Sequence, residues 1–292
     1  MSRLNEWRSV DLALLVGLTL LAVASCWPVW REIFSIATHS PEDSQILLAA
    51  PVAVWLAWLR RGRLRACGPS WSWFGPALIV CGAVLERAGE ASATEIARHA
   101  GIIAVALGAM LTVLGVRVMI AFLPALLALA FLMPVPGRLR QQIAVPLQEI
   151  SAHLSQNLLD LFGFAVERSG NLLIINGEQV AVAEACNGMR MVSALALLSF
   201  AFVFSVPMRH QVRVLLLVAS PVVALVVNIV RLVPTVLAYG HLSPGVADLI
   251  HDVSGWAVLG LAVVLLWGLL LLLRWFEVPI DPYPVERRES AR

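Results

Sequence analysis

Lysine is missing from this chain: all 21 of its basic residues are arginine, set against 19 acidic ones. That absence tracks a compositional bias from which no function follows. The resulting net charge of +2 is too small to mark a nucleic acid as a partner. Charge of either sign is scarce at 14% of residues, where soluble domains carry about 25%. Cysteine is sparse too. Cys26, Cys67, Cys81 and Cys186 show no CxxC and no Cys/His ligand spacing, so neither a zinc site nor a disulfide framework is signalled and no cofactor is implied. No internal repeat or low-complexity linker is evident. The first apolar run has no small-x-small cleavage site followed by a soluble domain, so it reads as a membrane helix and not as a removable signal.

What the chain has in abundance is apolar surface. Of 292 residues 60% are hydrophobic, with a mean hydropathy of +0.84, a balance that marks an integral membrane protein. About 20 apolar residues cross a bilayer core as a helix. Runs of that kind occur near 10–27, 44–59, 73–88, 98–116, 118–134, 188–207, 212–238 and 252–273. The expectation is an all-α polytopic fold of about eight transmembrane helices forming one integral membrane domain over 1–292. Pro76 and Glu86 weaken the third run, and Pro124 interrupts the fifth.

Arginine-rich short loops stay in the cytoplasm. With the N-terminus inside, thirteen arginines fall in internal segments (Arg3, Arg8, Arg60, Arg61, Arg63, Arg65, Arg117, Arg209, Arg213, Arg274, Arg287, Arg288, Arg292) and six in external ones. Both termini are therefore expected in the cytoplasm, with 275–292 a cytoplasmic tail and 135–187 and 239–251 on the outer side. The stretch "QQIAVPLQEISAHLSQNLLDLFGF" repeats apolar residues at 143, 147, 150, 154, 158 and 161, one face of an amphipathic helix on the membrane surface or in a groove between helices. Asn176-Gly177, between two β-prone runs, signals a small hairpin before the sixth span.

An ionisable residue within a span costs roughly 2.5–3.5 kcal/mol on insertion scales, so each needs a partner, a wet cavity or a task. Cys186 in "EACNGMRM" sits at the outer start of the sixth span. Arg231 in "NIVRLVPT" lies in the outer third of the seventh, and His251 in "LIHDVSGW" opens the eighth from the same side. Thiol, guanidinium and imidazole thus reach a similar depth from three helices, the set a cysteine hydrolase or transpeptidase requires. A cation or a helix N-terminus favours the thiolate, a fixed cation steadies an oxyanion, and imidazole moves protons near neutral pH. Each also has a plainer reading. Cys186 can be a small buried apolar residue, Arg231 can snorkel to headgroups, and His251 can be an interfacial residue paired with Asp252. Arg190 is one turn after Cys186 and either touches the thiolate or pairs with Glu184. Asn228 shares the face of Arg231 and either orients the guanidinium or serves as a packing amide. His39, His153 and His241 read as surface residues, and Gly188 and Gly255 suit close backbone approach or a tight turn.

"EACNGMR" opening one span, "NIVR" in the next and "HDVSGW" opening the last resemble the exosortase/archaeosortase family of membrane transpeptidases. The resemblance runs from about residue 131, where "FLMPVPGRL" matches a Pro-rich stretch of the family, to about 265. "THSPEDSQILLAAPVAVWLAWLRR" is similar more loosely to the family's early loop and second span. The resemblance implies action on secreted proteins bearing a C-terminal sorting tail, made of a motif such as Pro-Glu-Pro, a hydrophobic helix and a basic cluster. It implies Cys186 as nucleophile, Arg231 as catalytic arginine and His251 as the histidine, at the periplasmic face of a bacterial inner membrane. It further implies membrane lipids as surroundings and an amine of a lipid or glycan, or water, as acceptor. Asn187 stands where many members have serine, which bears on substrate fit. A transporter or envelope-assembly component, with Arg231 holding an anionic headgroup or solute, is the competing reading.

Overall fold

The structure is a computed structural model that describes residues 7–40, 43–65, 67–135, 137–182 and 188–276. Its contacts cluster into two compact units, Met1–Val145 and Pro146–Arg292.

In the first unit α1 (Ser9–Ser25) breaks at Cys26 into α2 (Trp27–His39), with Pro28 in the first turn of the new helix, where proline's missing N–H costs nothing. The two helices meet at 78°. Next come α3 (Ile46–Leu59), a 3₁₀ turn at Arg61–Arg65, and α4 (Phe74–Ala91). They lead to α5 (Glu95–Ala121), α6 (Leu123–Ala128) and a 3₁₀ turn at Leu129–Leu132. Glycine explains how α4 and α5 approach so closely. Gly75, Gly82 and Gly89 recur every seven residues on α4 and are buried, as are Gly101, Gly108 and Gly115 on α5. A β-carbon added at Gly82 would lie 2.7 Å from the Gly101 carbonyl oxygen, and one at Gly101 would lie 2.7 Å from that of Gly82. The backbones therefore touch where side chains would hold them apart, the small-residue packing by which membrane helices associate. Gly115 adopts φ +73°, a left-handed conformation that breaks α5.

The second unit holds α7 from Pro146 onward (Gly137–Leu161 in all), a three-stranded antiparallel sheet, and α8 (Gly188–Ser205), α9 (His210–His241) and α10 (Pro244–Trp275). The strands are β1 (Glu167–Ser169), β2 (Leu172–Ile175) and β3 (Glu178–Ala181), in order β1-β2-β3. Ile175 pairs with Glu178 across a two-residue turn in which Asn176 and Gly177 both have positive φ, the conformation that matches strand twist in tight hairpins. The turn docks on the end of α9. Asn176 Nδ2 donates to the Gly240 carbonyl at 2.9 Å, and Ile175 fills the space a side chain at Gly240 would need. One core joins Ala152 and Leu159 of α7, the sheet residues Leu173, Ile175 and Val180, Val182 just after β3, and Leu232 and Val236 of α9. A second joins Leu195 of α8, Ala224 and Val227 of α9, and Val258 and Ala262 of α10.

The apolar face read from the α7 sequence points the other way. Ile143, Ile150, Leu154 and Leu161 are exposed, while Ser151, Ala152, Ser155 and Leu159 are buried. In a membrane protein the large apolar face suits lipid, and small residues let the helix approach its neighbours.

The eight apolar runs resolve into helices of unequal reach. Among the described residues α5, α9 and α10 are long and apolar enough to cross a membrane, and α1 with α2 makes a fourth if the bent pair is one span. Ile46–Leu59, Leu123–Leu132 and Ser193–Ser205 are shorter apolar helices. The fourth and fifth runs do not part at Arg117, because α5 continues to Ala121.

Candidate functional site

The second unit brings Arg231 and His251 together. Arg231, only 4% exposed, lies between the two cores that flank it along α9. Its Nη2 approaches Nε2 of His251 on α10 at 3.1 Å. A guanidinium only donates, so Nε2 must accept, which leaves the ring proton on Nδ1. Nδ1 faces Asp252 Oδ1 at 3.0 Å. The imidazole is therefore a neutral ring whose basic lone pair points at the buried cation. The Asp252 carboxylate is 78% exposed, so solvent weakens its hold on the ring.

The helices that carry these groups are built locally. α10 starts at Pro244 behind Ser243 and not near residue 252, so His251 stands two turns inside the helix. Polar Asp248, His251 and Asp252 hide that start from a hydropathy reading, whereas Ser-Pro is the helix-opening signal. Gly255, one turn after His251, leaves room for the guanidinium: a β-carbon there would lie 3.5 Å from Arg231 Nη2. Pro234 removes a backbone donor from α9. Beside it the Thr235 hydroxyl, fully buried, donates to the Arg231 carbonyl at 2.9 Å.

Asn228, one turn before Arg231, turns its amide to α7 and donates from Nδ2 to Ser151 Oγ at 2.8 Å. Both residues are buried, and the bond ties α7 to α9 beside the guanidinium. It is an interhelical contact of the packing kind. At the mouth, Tyr239 Oη donates to Asp248 Oδ1 at 2.8 Å, joining the end of α9 to the start of α10. Ser151, Thr235 and Tyr239 escaped the sequence reading. For Ser151 a signal exists in Ser151-x-x-x-Ser155, a small polar stripe in a helix of large apolar residues.

Glu184, Cys186 and Asn187 lie outside the described residues, as does the side chain of Arg190. The described chain on either side is anchored. Val182 is fully buried in the core with Leu232 and Val236, and Ser193 of α8 is buried. Among the described residues no three His, Cys, Asp or Glu side chains gather as metal ligands would.

Comparison with known families adds the decisive observation. The model of the family described as transmembrane exosortase (Exosortase_EpsH) matches residues 30–268. The chain belongs to the transmembrane exosortase family. That span takes in Arg231, His251, Asn228 and the "EACNGMR" segment, and it makes the chain an exosortase-type catalytic membrane protein. Searches of curated proteins and of solved structures found no match.

Proposed function

We propose that this exosortase is a cysteine transpeptidase or peptidase that removes the C-terminal sorting tail of secreted proteins through a thioester on Cys186. The observation that carries the reading is the 3.1 Å contact between Arg231 and His251, a buried cation and a neutral base from two helices. Cys186 follows Val182 by four residues, a tether of at most about 14 Å, and Val182 packs beside the residue next to Arg231.

In this mechanism the Cys186 thiol gives its proton to His251 Nε2 and the sulfur attacks the scissile carbonyl. Nε2 cannot take that proton while it accepts from Arg231, so the developing oxyanion draws the guanidinium across and frees the base. The imidazolium, oriented by Asp252, then protonates the leaving amine. Arg231 holds the oxyanion in a site with little water. Asn228 and Ser151 fix α9 against α7, and Glu184, Asn187 and Arg190 flank the thiol. An amine from a lipid or glycan, or water, resolves the thioester. The chain works in a bacterial inner membrane, with both termini cytoplasmic and the site periplasmic, the topology favoured by its arginine asymmetry.

Mass spectrometry of a tailed substrate's new C-terminus tests this. With the intact protein the tail is lost and the new terminus carries either a free carboxylate or an attached group. With Cys186→Ala the substrate stays whole, and normal processing by that variant would exclude the nucleophile.

A further inference from the structure

The first unit contains a groove remote in sequence from the residues discussed above. It has a volume of about 550 Å³ and is lined by Val23 of α1, by Trp27, Trp30, Arg31, Ile33, Phe34 and Ala37 of α2, by Ile46, Leu47 and Ala50 of α3, and by Leu132. The lining is apolar apart from one charge, Arg31, and the Trp30 indole. Arg31 is exposed and has no ion-pair partner among the described residues. Its neighbour Glu32 turns to α5, meeting Arg98 Nη2 at 3.0 Å, so no carboxylate competes for the Arg31 guanidinium. Trp30 Nε1 is buried without a hydrogen-bond partner. A groove of this kind offers a ligand one cation, one N–H and a greasy channel.

Its place in the fold narrows the ligand. A helix that leaves a membrane-crossing helix at 78° runs close to the bilayer plane. α2 is amphipathic, burying Val29, Ile33 and Ala37 while exposing Trp27 and Phe34, as interfacial helices do. Arginine and tryptophan are the anchors of that layer. A second helix is a poor occupant: at 10 Å diameter, the groove's volume takes only about 7 Å of helix, under two turns. An acyl chain is narrower, and its phosphate would meet Arg31.

We propose that this groove binds an anionic phospholipid, with an acyl chain along Ile33, Ala37, Ile46 and Ala50, the phosphate on Arg31 and an ester oxygen on the Trp30 N–H. The proposal is independent of the chemistry assigned to Cys186.

The test is native mass spectrometry of the purified full chain supplied with phosphatidylglycerol, phosphatidylcholine or glycerol 1-phosphate. The intact protein should retain phosphatidylglycerol over phosphatidylcholine. Arg31→Ala should lower that retention about fivefold, and Arg31→Glu should lower it further. Ala50→Trp, which fills the groove from an exposed position, should remove the bound lipid while the protein stays monodisperse. Three results would overturn the proposal: equal retention of both lipids by the intact protein, unchanged phosphatidylglycerol binding by Arg31→Glu, or displacement of the lipid by glycerol 1-phosphate. A lipid-free dimer dissociated by Ala50→Trp would instead assign the groove to a second copy.

Discussion

The guanidinium of Arg231 lies across Gly255, with Nη2 3.5 Å from where a β-carbon would stand. That separation is ordinary van der Waals contact, so one methyl group fits and a larger side chain does not. Gly255→Ala is expected to keep cleavage of a tailed substrate near the level of the intact protein. Gly255→Leu should push the guanidinium aside and lower kcat/KM by roughly a hundredfold, the effect of a misplacement of about 1 Å. Rates measured on both variants check the pair, and equal loss from alanine and leucine would contradict the geometry.

His251 and Asp252 should separate by magnitude. Removing a proton-transfer group costs about 10²–10⁴ in rate, which is the loss expected for His251→Ala. Asp252 holds the ring from a largely exposed position, and exposed pairs contribute about 0–1 kcal/mol. Asp252→Asn should therefore cost less than about tenfold in the same assay.

Two serines one turn apart on α7 make opposite predictions. Ser151 accepts from Asn228, so Ser151→Ala strands a buried amide and should destabilise the protein by about 1–3 kcal/mol. Ser155 Oγ is buried without a partner, so Ser155→Ala should be neutral or stabilising. Thermal unfolding of the two purified variants, side by side, reads the difference.

The glycine contacts between α4 and α5 leave no space for a side chain. Gly101→Val would drive methyl groups against the Glu86 and Gly82 backbones, and overpacking of this kind costs about 1–3 kcal/mol. Gly260→Ala meets nothing within 4 Å and should leave the melting temperature unchanged or raise it.

Much of this was legible in the residues because hydrophobic runs and helix-internal charges carry strong signals. α9 and α10 cover the runs near 212–238 and 252–273, and Arg231 and His251, chosen because lipid tolerates neither, meet across those helices. Span lengths were less legible. Hydropathy sums side chains and does not register a break such as the one at Cys26, or the left-handed Gly115 inside α5. The direction of α7 was misread for a related reason: periodicity locates a face, but in a membrane the large apolar face can turn to lipid while serines go inside. The seven-residue glycine spacing of α4 and α5 was present in the sequence. It acquires meaning only when the two helices are laid against each other.

The central claim, that Cys186 forms a thioester assisted by Arg231 and His251, is tested most directly by intact-protein mass spectrometry after mixing with a tailed substrate. The expected result is an adduct of the tail-free substrate on the intact protein, released by hydroxylamine and absent from Cys186→Ala. It should build up more slowly in Arg231→Ala and His251→Ala. An adduct of the same mass on Cys186→Ala, or tail removal by that variant at an undiminished rate, would contradict it.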